Sequence, residues 1–132
     1  MAASDTIIER ANSVSDRDSR ILGEAVSRAA NYWKLSDQTL GNIIGISRTS
    51  ALRLHDGNFK LKRGEKSFEL GQYFVRIFRS LDAIMGSDDA ASISWLKSPN
   101  LDLGGRPIDL MQGSITGLFR VADYIDGYRG RV

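Results

Sequence analysis

Seven side chains between Ser47 and Gly64 share one kind of chemistry. Arg48, Thr49, Ser50 and Arg53 fall within six residues, and Lys60, Lys62 and Arg63 follow within the next ten. An arginine presents a planar fork of donors that fits two adjacent acceptors, as on a guanine edge or a phosphate. Threonine and serine hydroxyls can meet a base or a backbone oxygen, and lysines supply point charge. The chemistry is that of holding a polyanion. From Leu40 to Ser80, 8 Lys or Arg stand against 3 Asp or Glu, 8 − 3 = +5. From Leu81 to Asp126 the balance is 3 − 7 = −4. Such asymmetry suits two parts with different partners, although two solvated faces of opposite sign satisfy it as well.

Residues of this kind work only if a rigid element presents them. The segment Asp37 to Leu54, DQTLGNIIGISRTSALRL, has the pattern of a helix-turn-helix. Gly41 is small where two helices must approach, and Gly45 suits the turn between them. Leu40, Ile44, Ile46, Ala51 and Leu54 are spaced to fill the angle between the helices. The second helix of such a pair lies in the major groove and would expose Arg48, Thr49, Ser50 and Arg53. Lys60, Lys62 and Arg63 would then neutralise backbone phosphates. A plain corner between two packed helices has the same degenerate pattern.

The remaining periodicity is helical throughout. Ser15 with Asp18 forms a capping-box pattern, and Ile21, Leu22, Ala25, Val26, Ala29 and Trp33 recur at helical spacing, predicting a helix from about Asp16 to Lys34. Ser36 and Ser47 can cap helices that run to Ile44 and His55. Leu70, Tyr73, Phe74, Ile77, Phe78, Leu81, Ile84 and Met85 predict a long amphipathic helix over Glu65 to Met85. Tyr73, Phe74, Phe78 and Met85 exceed what a small module readily hides, so part of that face is expected to form a homodimer. Ser87 can cap a short helix through Leu96, and two more helices follow near Ile108 to Met111 and Ser114 to Tyr128. No segment alternates as a strand does.

Composition excludes several classes. The 132 residues are 42% apolar and 26% charged, ordinary values for a globular chain. No cysteine is present, which removes disulfides, thiolate zinc sites and cysteine nucleophiles. No apolar run approaches the ~20 residues of a membrane helix, and Met1 to Asp5 lacks an export pattern, so a cytoplasmic protein with no membrane partner is expected. His55, the single histidine, fits a helix end better than a catalytic role. There is no phosphate loop, metal-ligand cluster or nucleophile–base pair of recognisable spacing. Neither catalysis, metal nor cofactor is expected.

The stretch Trp95 to Met111, WLKSPNLDLGGRPIDLM, reads as a helix end, a Pro-Asn break, a Gly-Gly turn and a proline-started helix. As a mere connector it would be packed by Leu101, Leu103 and Ile108. Trp95-Leu96, Pro99-Asn100, Leu103-Gly104-Gly105-Arg106-Pro107, Asp109-Leu110 and then Gly117, Val121, Ile125 and Gly127 occur in a fixed order and spacing. This set resembles the C-terminal toxin-binding domain of the Xre/MbcA/ParS-type antitoxins. The resemblance reaches from about Leu35 to the C-terminus, and its specificity lies between Trp95 and Gly127.

The resemblance implies an antitoxin of a type II toxin–antitoxin system. Its partners would be a RES-domain toxin that degrades NAD⁺ and operator DNA of its own promoter, and it would act as a homodimer that covers the toxin's active-site entrance. Arg106, Arg120, Asp123, Tyr124, Tyr128, Arg129 and Arg131 are the candidate toxin contacts. Phe119, Arg120 and Asp123 are expected off the apolar face of the last helix. Tyr124 and Tyr128 are one turn apart, and Arg129 and Arg131 are expected on a flexible tail. The alternative is a free-standing helix-turn-helix regulator whose C-terminal module only dimerises or senses a ligand. The expected fold is all-α: a loose leader over 1–14, a helix-turn-helix domain over 15–64, and a small helical toxin-binding and dimerisation module over 65–132.

Overall fold

The computed structural model describes residues 2–130. It is all-α, with α1 (Ala2–Tyr32), α2 (Asp37–Ile44), α3 (Arg48–His55), α4 (Lys66–Ile84), α5 (Asp89–Lys97), α6 (Pro107–Gly113) and α7 (Ile115–Arg129). Among the described residues the only sheet-like feature is an isolated bridge between Asn100 and Gly105. None of the described helices is long and apolar enough to cross a membrane.

Local hydrogen bonding sets most helix ends. The Ser36 hydroxyl accepts from the Thr39 N–H, Ser47 from Ser50, and Ser114 from Gly117. Each occupies a first-turn donor that the helix itself cannot pair. Gly45 closes α2 in the left-handed region, φ 76°. Ser87 does not cap α5 as its type suggests. It lies at φ 61° with its N–H on the Asp82 carbonyl, closing α4 instead. The extended conformation that a cap needs falls to Asp88, whose carboxylate accepts from Ala91 N–H.

α1 departs most from expectation. Residues 1–14 were expected as a loose leader, yet the helix begins at Ala2, and Ser15 sits inside it. No glycine or proline interrupts the chain before Gly23. Once the packed half of a helix has formed, each further residue extends it at little cost. Leu22, Val26, Ala29 and Ala30 form its buried face, continued by Trp33 just past its end, whereas Ile21, expected with them, is exposed.

α4 lies at the centre, with α1 on one side and α7 on the other. Phe74, Ile77 and Leu81 are buried. Trp33 sets its ring edge-on to Phe74, centroids 5.4 Å apart, and also meets Phe78 at 5.1 Å. Tyr32 stacks on Phe78 and Tyr73 packs against Phe119. The apolar surplus of α4, on which self-association was expected to draw, is therefore largely taken up inside the chain. The large apolar side chains left exposed on α1 are Ile7, Ile8, Val14, Ile21 and Tyr32.

Phe74 is fully buried near the middle of α4, the helix that packs against both α1 and α7, so its loss should be felt by the whole chain. Phe74→Ala should cost about 3–5 kcal/mol. Urea unfolding followed by far-UV circular dichroism should still show one transition, moved to lower denaturant; two separated transitions would mean that α4 does not couple the halves.

Candidate functional site

The first candidate surface is built on the α2–α3 corner. A Cβ placed on Gly41 would stand 2.5 Å from the Ile46 carbonyl oxygen, so only glycine lets the two helices cross this closely. Leu40, Ile43, Ile44, Ala51 and Leu54 are buried beneath the corner. α3 is thereby held with Arg48, Thr49 and Arg53 exposed and Ser50 half-buried. The Ser50 hydroxyl accepts from the Ser47 hydroxyl at 3.0 Å, so it belongs in part to the cap. One N–H of Arg53 donates to the Asn58 carbonyl at 3.1 Å, which steadies the turn after α3. Arg48 and Thr49 engage no side-chain partner among the described residues.

The basic connection after α3 is anchored to α1. Lys60 pairs with Asp16 at 3.6 Å and Arg63 with Asp18 at 2.8 Å, while Lys62 makes no ion pair among the described residues. These pairs are exposed and contribute little stability, but they set where the cations lie. His55 lies behind this surface. Its Nδ1 meets the Ser27 hydroxyl at 2.5 Å and its Nε2 faces Asp37 at 3.4 Å. The imidazole thus ties α1, α2 and α3 together at the corner. Among the described residues no cluster of His, Cys, Asp or Glu could hold a metal ion.

The second candidate surface is the loop between α5 and α6 with the helices beside it. Asn100 organises the loop: its N–H donates to the Gly105 carbonyl, and its own carbonyl accepts from Gly104 and Gly105. Its side-chain oxygen accepts from the Leu103 N–H at 3.0 Å. Leu103 is tucked inward, and Arg120 donates to its carbonyl at 3.1 Å. Leu101, which would be packed if the stretch were a mere connector, is 99% exposed at the tip. Arg106 grips Asp109 with two hydrogen bonds of 2.8 and 2.9 Å and holds that carboxyl below the usual carboxylate range.

α7 crosses α6 at Gly117, where a Cβ would collide with the Leu110 carbonyl. Phe119 does not stand free of the apolar face as expected, because it is half-buried against Tyr73. Tyr124 stacks on Trp95 and donates to Asp102 at 3.0 Å. Asp123 and Tyr128 are exposed. Arg129 is not on a flexible tail: α7 continues through it, and its guanidinium donates to the Ser80 hydroxyl at 3.2 Å. Arg131 lies outside the described residues.

Several functional contacts join elements far apart in sequence. Arg76 on α4 pairs with Asp126 on α7, and Ser80 donates to the same carboxylate. Gln38 donates to Asn42, and Asn42 donates to Gln112 of α6 at 3.1 Å, linking the two candidate surfaces through side chains. Nothing in the sequence pairs Arg76 with Asp126 or Asn42 with Gln112. Asn100 did carry a signal, since Pro-Asn ahead of Gly-Gly is the chemistry of a side-chain-closed turn.

Two family models match the chain. One describes an antitoxin Xre-like helix-turn-helix domain and matches residues 14–76. The other describes the antitoxin Xre/MbcA/ParS C-terminal toxin-binding domain and matches residues 80–131. Antitoxin Xre of Yersinia enterocolitica serotype O:8 / biotype 1B is 32% identical over 73 residues, covering 55% of this chain and 47% of that protein. The match thus spans about half the length of that relative. The two matched regions meet inside α4.

Removing the Asn100 side chain should loosen the loop without unfolding the domain. Asn100→Ala should cost about 0.5–1.5 kcal/mol, the worth of one hydrogen bond. Amide exchange at Leu103 should accelerate while the buried amides of α4 keep their protection. Unchanged exchange at Leu103 would show that the backbone bridge alone holds the loop.

Proposed function

Because the chain belongs to the Xre-type antitoxins with a C-terminal toxin-binding domain, we propose that it neutralises a cognate toxin and binds operator DNA. The observation that carries this reading is the union, around one shared helix, of an Xre-like helix-turn-helix with the family's toxin-binding module. The protein acts by binding and needs no catalytic group. Its toxin is a RES-domain enzyme that consumes NAD⁺, and the antitoxin covers that enzyme's active-site entrance. NAD chemistry then belongs entirely to the partner. The complex, a homodimer of antitoxin at its core, represses its own promoter in the cytoplasm.

The roles divide between the two surfaces. Arg48 and Thr49 read base edges from α3, with Ser50 and Arg53 beside them. Lys60, Lys62 and Arg63 touch phosphates. On the toxin side the exposed Leu101 is the apolar anchor, since a lone large side chain held out by a closed loop loses little freedom on binding. Tyr128 and Asp123 are exposed on α7. Arg106, Arg120, Tyr124 and Arg129 flank these groups while holding the loop and helix in place, and Arg131 follows along the chain.

DNA binding is tested by anisotropy with a duplex from the protein's own promoter region. Arg48→Ala should lose about 1–3 kcal/mol on that duplex, and Lys62→Ala should weaken all duplexes alike. If neither change matters, the corner is only structural.

Toxin neutralisation is tested by co-expression. Leu101→Asp should weaken toxin capture by about 2 kcal/mol, roughly 30-fold in Kd, and cells should no longer be rescued. Deleting residues 127–132 should also abolish rescue while leaving DNA binding intact. Full rescue by both variants would remove this face from the interface, and a growth-neutral neighbouring gene product would remove the toxin.

A further inference from the structure

The outer face of α1 has no part in the reading above. Arg10, Arg17, Arg20 and Arg28 fall at positions that share one side of the helix, and all four are exposed. None makes a hydrogen bond or ion pair with another side chain among the described residues. Together they line a groove whose opposite wall is the end of α3 and the connection beyond it, at Leu54, His55, Gly57, Phe59 and Lys60.

The groove is strongly cationic. Its lining holds five cations, the four arginines and Lys60, against Asp16 and Glu24, so 5 − 2 = +3. Asp16 is already taken by Lys60. Glu24 lies one turn from both Arg20 and Arg28, which leaves Arg10 and Arg17 without a neighbouring counter-charge on the groove face. Like charges aligned on a helix repel, and an external polyanion relieves that repulsion.

We propose that this face of α1 is a second binding surface for the phosphate backbone of duplex DNA. It takes the same duplex whose major groove α3 enters, and so rests on the DNA-binding reading. Three observations select this occupant. The groove is walled by α1, α3 and their neighbouring connection, and no residue of α5, α6 or α7 lines it. His55, the last residue of α3, itself lines the groove, so the groove begins where the base-reading helix ends. Arg10 to Arg28 spans about 27 Å of helix, most of one turn of duplex at about 34 Å. The continuous extension of α1 to Ala2 is what places Arg10 there.

The test uses the full-length protein with two duplexes, one from its own promoter region and one scrambled, over a range of KCl concentrations. The double variant Arg10→Gln/Arg17→Gln changes only exposed positions, and unchanged far-UV circular dichroism checks its fold. Loss of two phosphate contacts should weaken binding to both duplexes by the same factor and reduce the salt slope by about 1.8. Arg48→Ala should instead act mainly on the promoter duplex. If the double variant keeps the original affinity and slope while Arg48→Ala loses the promoter duplex, the α1 surface is excluded and the helix-turn-helix reading stands. A flattened slope together with an inert Arg48→Ala would support the α1 surface and overturn α3 as the reader. Failure of the unsubstituted protein to bind either duplex would overturn both. Loss of toxin rescue at unchanged DNA affinity would assign the groove to a protein partner and overturn the proposal.

Discussion

The edge-on contact of Trp33 with Phe74 is the interaction on which the arrangement depends. Trp33 is the first residue after α1 and continues its buried face, and Phe74 is fully enclosed near the middle of α4. Burying two rings of this size supplies several kcal/mol, and the edge-to-face geometry restricts how the helices can rotate against each other. With α1 locked on α4, Leu22 and Val26 lie over Gly71 of α4, and Leu54 of α3 reaches Gly23 of α1. The opposite side of α4 remains free for α7.

This layout gives a short chain two separate working faces on one stiff support. The corner and the connection after it carry exposed arginine, threonine and lysine, and the α5–α6 loop leaves Leu101 exposed. Neither surface uses the buried face that holds the molecule together. Asn42 and Gln112 bridge the two faces, and the Arg76–Asp126 pair fastens α4 to α7. These contacts are half exposed and add only modest stability; their value is in direction. A surface held at a fixed angle loses less freedom when a partner docks.

Many sequence-proposed contact residues have a second occupation in the fold. Arg53 steadies the turn after α3, Arg106 is paired with Asp109 at the start of α6, Arg120 holds the Leu103 carbonyl, and Tyr124 lies on Trp95. Polar groups on a small domain commonly satisfy an internal partner and still present remaining donors outward. A residue's type announces what it can bond, but not how many of its groups are already committed.

The short-range features were legible in the sequence. Ser36 and Ser47 cap helices because a side-chain oxygen reaches an N–H three residues on, whereas Ser15 and Ser87, of the same type, do not cap. Gly41 and Gly45 mark the corner because a close approach and a left-handed turn both exclude a Cβ. The periodicity of Phe74, Ile77 and Leu81 announced a buried face for the same local reason. The tertiary structure alone decided what each face meets. Ile21 continued the apolar period of α1 yet faces outward, Phe119 is covered by Tyr73, and Leu101 is expelled where Leu103 is drawn in. Those outcomes depend on contacts between residues tens of positions apart, whose geometry no spacing rule encodes. The length of α1 was hidden for a related reason, since residues 6–11 are all exposed and leave no periodic trace, and the segment is helical by propagation from the packed half.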